Sequence, residues 1–211
     1  MTEVEQKRKT PLWRELPILI VVAVGVAILV RAFVLQTFYI PSQSMQHTLE
    51  IDDRVLVNKV VYDFREPARG EIVVFKAPQS WRGDPNETDF IKRVIAVGGD
   101  HIVCCDVKHR LTVNGQPLDE PYIYTNSDGV ADEASNQPFD VQVPAGRLWV
   151  MGDHRAESGD SREQFLRSRD PGIATIPSEA VIGRAFAVFW PVSRAEWLTV
   201  PETFESVPDS S

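Results

Sequence analysis

The pattern of apolar and polar positions changes once along the chain, near residue 35. From Leu16 to Val30 it reads LPILIVVAVGVAILV, without a charge, and after Arg31 the apolar run resumes as AFVL. Residues 16–35 are long enough to cross a bilayer as a helix, which takes about 20 residues. The segment is apolar all round, whereas a helix on the surface of a globular protein is apolar along one stripe. A cleaved leader is disfavoured because RAFVLQTF, which follows, holds no small-x-small site. Lys7, Arg8, Lys9 and Arg14 lie on the N-terminal side, and such a basic flank stays in the cytoplasm. Arg31 near the far end snorkels to the interface. The expected layout is a cytoplasmic tail over 1–15, a single-pass plasma-membrane anchor over 16–35, and everything beyond it extracytoplasmic.

Past residue 35 the pattern shortens to β runs. DRVLVNKVV, EIVVF, DFIKRVIAV, HIVCC, LTVNGQPL, RLWVMG and AVIGRAFAVFW are rich in Val, Ile and aromatic residues and are separated by turn residues. Asn114-Gly115 is a two-residue hairpin signal. Three polar stretches read as loops: APQSWRGDPNET, TNSDGVADEASNQP, and residues 153–171 around DHRAESGDSREQ. The fold class is mostly β: an N-terminal transmembrane helix followed by an antiparallel β domain over 36–200, with a smaller inserted β region over about 100–148. The acidic, polar residues 201–211 are expected to be disordered.

Composition narrows the function. The chain has 211 residues, 43% hydrophobic and 25% charged, with a net charge of −8. That balance builds a core without metals. An acidic surface does not suit phosphate, so nucleic acid is not an expected partner. There is no βαβ alternation, no GxGxxG and no GxxxxGK[ST], which disfavours a nucleotide enzyme. Cys104 and Cys105 are the only cysteines. With His101 and His109 they make H-x2-C-C-x3-H, which is not a usual zinc spacing. No metal and no cofactor are expected, and the two thiols are either free or paired with each other. Trp81 and Trp197 are candidates for a lipid interface.

Three segments carry candidate chemistry. In Ile40-Pro41-Ser42-Gln43-Ser44-Met45, two serines sit two residues apart, and an extended backbone points both the same way. Taken alone this reads as a polar linker. A serine nucleophile needs a base, and none of His47, His101, His109 and His154 lies in a recognisable triad context. Lys92 lies in the apolar strand FIKRVIAV. Alternation puts Phe90, Lys92 and Val94 on one face and Ile91, Arg93 and Ile95 on the other. Both faces are otherwise apolar, so at least one of the two cations points inward. Burial lowers the pKa of a lysine, although a strand lysine more commonly snorkels to water. The third segment, GDHRAESGDSR from Gly152, is dense in charge. Asp153, Arg155, Asp160 and Arg162 are suited to an ion-pair network that fixes a loop.

Taken in order, PSQSM, GEIVVF, FIKRV…GGD and GDHRAESGDSR resemble the signature blocks of bacterial type I signal peptidases. The resemblance runs from Leu16 to about Trp197, and the CCD segment with GDHR is most similar to the actinobacterial branch. It implies a serine endopeptidase that cleaves signal peptides from exported preproteins, near the secretion translocon and at the lipid surface. It further implies Ser44 as nucleophile, Lys92 as general base, Ser42 as an oxyanion-hole hydroxyl and Ser158 as the hydroxyl that orients the lysine. Asp153, Asp160 and Arg162 match structural positions. Phe38, Ile40, Pro41, Met45, Leu49 and Ile91 match positions lining shallow substrate pockets that select A-x-A-like sites. The chain departs from the commonest pattern at His47, often proline, at Ala156-Glu157 in place of Asp-Asn, and at Gly98-Gly99 in place of Pro-Gly. Two other readings remain open on residues alone: a self-cleaving regulator of the same chemistry, and a tethered β domain that only binds.

Overall fold

The computed structural model describes residues 12–210. Residues 1–11, where the basic tail is expected, lie outside them. The first element, α1 (Leu12–Phe33), is a 22-residue helix. Inside it, the side chains of residues 12–14, 27 and 29–33 also lie outside the described ones. Among the described residues no helix is long and apolar enough to cross a membrane. The helix ends earlier than the expected anchor, since Leu35 already opens the first strand, β1 (Leu35–Tyr39).

The β-branched runs form two antiparallel sheets. The larger holds β1, β2 (Arg54–Asn58), β3 (Ile72–Lys76), β4 (Asp89–Val97), β9 (Arg147–Met151), β10 (Ile176–Pro177), β11 (Val181–Trp190) and β12 (Glu196–Trp197). Its order is β1-β2-β11-β3-β4-β9-β10, with β12 on β11. The smaller sheet falls within residues 101–142: β5 (His101–Cys104), β6 (Leu111–Val113), β7 (Gln116–Pro117) and β8 (Phe139–Gln142), in the order β7-β6-β5-β8. Asn114 and Gly115 turn β6 into β7 with φ of 52° and 79°, the left-handed pair that a two-residue hairpin demands.

Burial follows the pleat. β2 alternates, with Val55 and Val57 fully buried, while Ile72 through Phe75 of β3 are buried on both faces. One core lies under β1 and β2, around Ile40, Met45, Leu49, Val55 and Val57. A second lies on β3, β4 and β9 around Phe75, Val94 and Val150. The third fills the space between the small sheet and the rest, around Ile102, Leu111, Trp149 and Phe165.

Three expectations change. The polar stretch after Asp153 is not all loop. It contains α2 (Ser161–Ser168) and α3 (Pro171–Ala174), each capped by an aspartate, Asp160 and Asp170, that accepts a backbone N–H. The segment from Glu202 to Pro208 packs against the domain. A 3₁₀ turn over Glu202–Ser206 buries Phe204 and, just past it, Val207 in the third core. Trp81 is 6% exposed and donates its indole N–H to the Ile173 carbonyl, so it is a core residue, whereas Trp197 is 74% exposed. Cys104 and Cys105 are bonded to each other, and among the described residues no cluster suits a metal ion.

Candidate active site

Ser44 sits on the connection between β1 and β2, in a stretch of tight turns. The connection is pinned at its ends, because Ile40 N–H donates to the Asp53 carbonyl and Asp52 N–H to the Ile40 carbonyl. Met45 and Leu49 are fully buried beneath it. These two, expected to line a substrate pocket, are not among the residues lining the cleft beside Ser44 and form the apolar floor that seats the loop.

Lys92 reaches this loop from the centre of the large sheet, where it is registered against Val73 of β3. It is 4% exposed, and Ser44 is 6% exposed. Lys92 Nζ lies 2.5 Å from Ser44 Oγ. Burial lowers the lysine pKa from 10.5 to about 8, against the opposing pull of Asp160, Glu87 and Asp153. The desolvated amine is thus neutral in a useful fraction near neutral pH, as a general base requires. Ser42 Oγ lies 3.3 Å from Ser44 Oγ, so both hydroxyls meet on one side of the loop.

Ser42, Ser44 and Lys92 open into a cleft of about 210 Å³. Phe38, Ile40, Pro41 and Ile91 line it, and so do Glu157 and Glu87, the latter not singled out by the sequence. No histidine lines it. His154 directs Nδ1 to the Gln43 carbonyl at 3.2 Å and Nε2 toward Asp132 at 3.8 Å. Neither nitrogen is engaged with Ser44 Oγ.

The segment after β9 supports the loop from behind. Asp153 is fully buried and accepts two bonds from Arg93, at 2.9 and 2.6 Å, and one from Thr48 Oγ1 at 2.5 Å. Thr48 belongs to the Ser44 loop, so one carboxylate joins the loop to β4. Arg93 also donates to the Gly70 carbonyl and lies over the Tyr122 ring at 4.1 Å. Asp160 accepts the N–H of Gly152. Arg162 donates to the Arg155 carbonyl and the Ala134 carbonyl. Of the expected network, Arg162 pairs with Asp160 at 3.5 Å, whereas Asp153 takes Arg93 and Arg155 takes Glu120.

Ser158 is buried beside Gly152, but its hydroxyl has no hydrogen-bond partner. The expected bond from Ser158 to Lys92 is not formed here. Gly152 itself was missed as a site residue. A Cβ at that position would stand 2.3 Å from both the Ser44 carbonyl and Ser158 Oγ, so only glycine lets the two segments close. A glycine at the end of an apolar strand was the available signal.

Comparison with known proteins identifies the family. The family model "Signal peptidase, peptidase S26" matches residues 13–190. The chain belongs to that family. A "Probable signal peptidase I" of Mycobacterium leprae is 37% identical over 233 residues, covering 90% of this chain and 80% of the relative. The "Signal peptidase I" of Mycobacterium tuberculosis is 36% identical, over 92% of this chain and 78% of that one. A "Probable signal peptidase I-2" of Synechocystis is 37% identical, over 97% and 87%. Membership makes the chain a serine peptidase, a hydrolase.

Proposed function

We propose that this peptidase is a membrane-anchored signal peptidase I that cleaves signal peptides from exported preproteins with Ser44 and Lys92. The observation that carries the reading is the buried lysine whose Nζ lies 2.5 Å from the serine hydroxyl. Neutral Lys92 takes the Ser44 proton as Oγ attacks the scissile carbonyl. The oxyanion is held by Ser42 Oγ and the Ser44 backbone N–H. Lys92 then gives its proton to the leaving amine, and activates the water that releases the acyl group. Ser158, buried with its hydroxyl unpartnered, is the hydroxyl that the family resemblance assigns to orienting the amine.

Phe38, Ile40 and Ile91 give the cleft beside Ser44 an apolar wall, and the family resemblance gives that cleft small-x-small specificity. The anchor is supported by the uncharged apolar run from Leu16 to Val30. Ile18 is 64% and Val21 71% exposed, which water disfavours and lipid does not. The catalytic domain then lies outside the plasma membrane near the translocon, where lipid and emerging preproteins are its partners, and tethering raises the effective concentration of substrate.

The test is cleavage of a purified preprotein by the full chain in detergent, with the new N-terminus read by mass spectrometry. The parent is expected to cut after an A-x-A-like site and Ser44→Ala to release nothing while remaining folded. Product formation by Ser44→Ala at the parent rate would refute the assignment.

A further inference from the structure

Two histidines that the proposed chemistry leaves unused fasten the Ser44 loop to the inserted lobe. His47 Nδ1 lies 3.0 Å from the Ile123 carbonyl, and His154 Nδ1 lies 3.2 Å from the Gln43 carbonyl. A carbonyl only accepts, so each Nδ1 carries the hydrogen and donates. The His154 ring is buried and stacks on Tyr124 with centroids 3.9 Å apart, while its Nε2 faces Asp132 at 3.8 Å. The backbone closes the same joint from both sides. His154 N–H donates to the Ser44 carbonyl at 3.2 Å, and Tyr124 N–H donates to the Asp153 carbonyl at 2.9 Å. His154 therefore holds two successive carbonyls of the nucleophile loop, Gln43 and Ser44, and packs on the lobe through Tyr124.

His47 makes the second link from a backbone with φ of 82°. Proline is fixed near −65° and cannot take that conformation. The loop of this chain is thus bent at His47 in a way that a proline there would forbid, and the bend carries the ring to Ile123.

We infer that His47 and His154 are positioning residues that dock the Ile123–Tyr124 segment on the Ser44 loop and hold Ser44 Oγ in line with Lys92. Ser44 lies outside any strand, so no sheet register fixes it, and a shift of about 1 Å at a reacting atom costs about 10²-fold in rate. The effect on rate rests on the Ser44–Lys92 reading, but the docking does not.

The experiment uses the full chain in detergent with four substitutions. His154→Asn keeps a donor where Nδ1 stood, and His154→Leu removes it. His47→Asn keeps a donor and tolerates positive φ, and His47→Gly keeps the backbone and removes the donor. Amide hydrogen exchange over residues 43–49 and 122–125 is measured in a Ser44→Ala background, and kcat and KM for a preprotein in the active one. His154→Leu and His47→Gly are expected to speed exchange in both segments and to lower kcat by about tenfold for a lost hydrogen bond, leaving KM within about twofold. The asparagine variants are expected to restore both. His47 is exposed, so its variants keep the test if His154→Leu does not fold. Unchanged exchange in both segments, faster exchange without loss of kcat, or no rescue by asparagine would overturn the inference. If Lys92→Met still cleaves the preprotein, the dyad reading fails while exchange still reports on docking.

Discussion

Lys92 and Arg93 are neighbours on one strand with opposite fates, and the difference is set by side-chain chemistry. A lysine amine in an apolar setting gives up its proton, and burial moves its pKa to about 8. A guanidinium does not, so Arg93 is tolerated at 2% exposure only because its donors are met. Asp153 takes two of them, the Gly70 carbonyl takes a third, and Tyr122 covers the face. The strand FIKRVIAV already required an inward cation, because both of its faces are apolar. The partner was not legible, since Asp153 lies 60 residues further on. Sequence alternation also suggests that Arg93, pointing away from the lysine, tolerates lysine; the structure reverses this. Arg93→Lys keeps the charge but loses the fork, and is expected to cost about 3 kcal/mol. Urea unfolding checks it, and an unchanged midpoint would mean that the pair contributes little.

At the scale of elements, the strands were readable because alternation and turn residues agree with the final sheets. The Asn114-Gly115 hairpin is the plainest case, with both φ values positive. The helix α2 was not readable from periodicity, as SREQFLRS offers only Phe165 and Leu166 as apolar residues. Its signal was the cap: Asp160 followed three residues later by Glu163 fits a helix start. Asp160 accepts the Arg162 N–H and also the N–H of Gly152 at the back of the Ser44 loop. Asp160→Ala removes the cap and leaves a buried N–H unpaired, so a loss of about 2–3 kcal/mol is expected. The same change removes the charge that most favours protonated Lys92, so the pH midpoint of activity should fall. A midpoint that stays in place or rises would contradict this placement of Asp160.

Across the whole molecule, the C-terminal segment matters more than its composition suggests. Its acidic and polar residues hide two apolar anchors, Phe204 and Val207, which close the third core. The Phe204 ring stacks on Tyr122, which also lies against the Arg93 guanidinium. Asn114 of the inserted lobe donates to the Pro208 carbonyl, and Thr203 Oγ1 accepts the Asp119 N–H. Two isolated apolar residues carry no periodic signal, which is why sequence alone reads disorder there. Phe204→Ala is expected to lower stability by about 3 kcal/mol, read as a drop in melting temperature of the detergent-solubilised chain. A tail that is dispensable for packing would leave the melting temperature unchanged. At the other end, removal of residues 1–33 leaves β1 and its pairing with β2 intact. The truncated chain is therefore expected to fold and to cleave preprotein in detergent, and inactivity under every lipid and detergent condition would count against an anchor that only tethers.

The most direct test of the dyad is the pH dependence of preprotein cleavage under kcat/KM conditions, for the parent, Lys92→Met, Lys92→Arg and an alanine variant of each histidine. Only the neutral amine accepts the serine proton, so activity is expected to rise with pH through about 8, where Lys92 deprotonates. Both Lys92 variants are expected to be folded and inactive, and every histidine variant to keep the midpoint of the parent. A midpoint near that of a free histidine, about 6.5, together with activity in Lys92→Met and its loss in one histidine variant, would contradict the account.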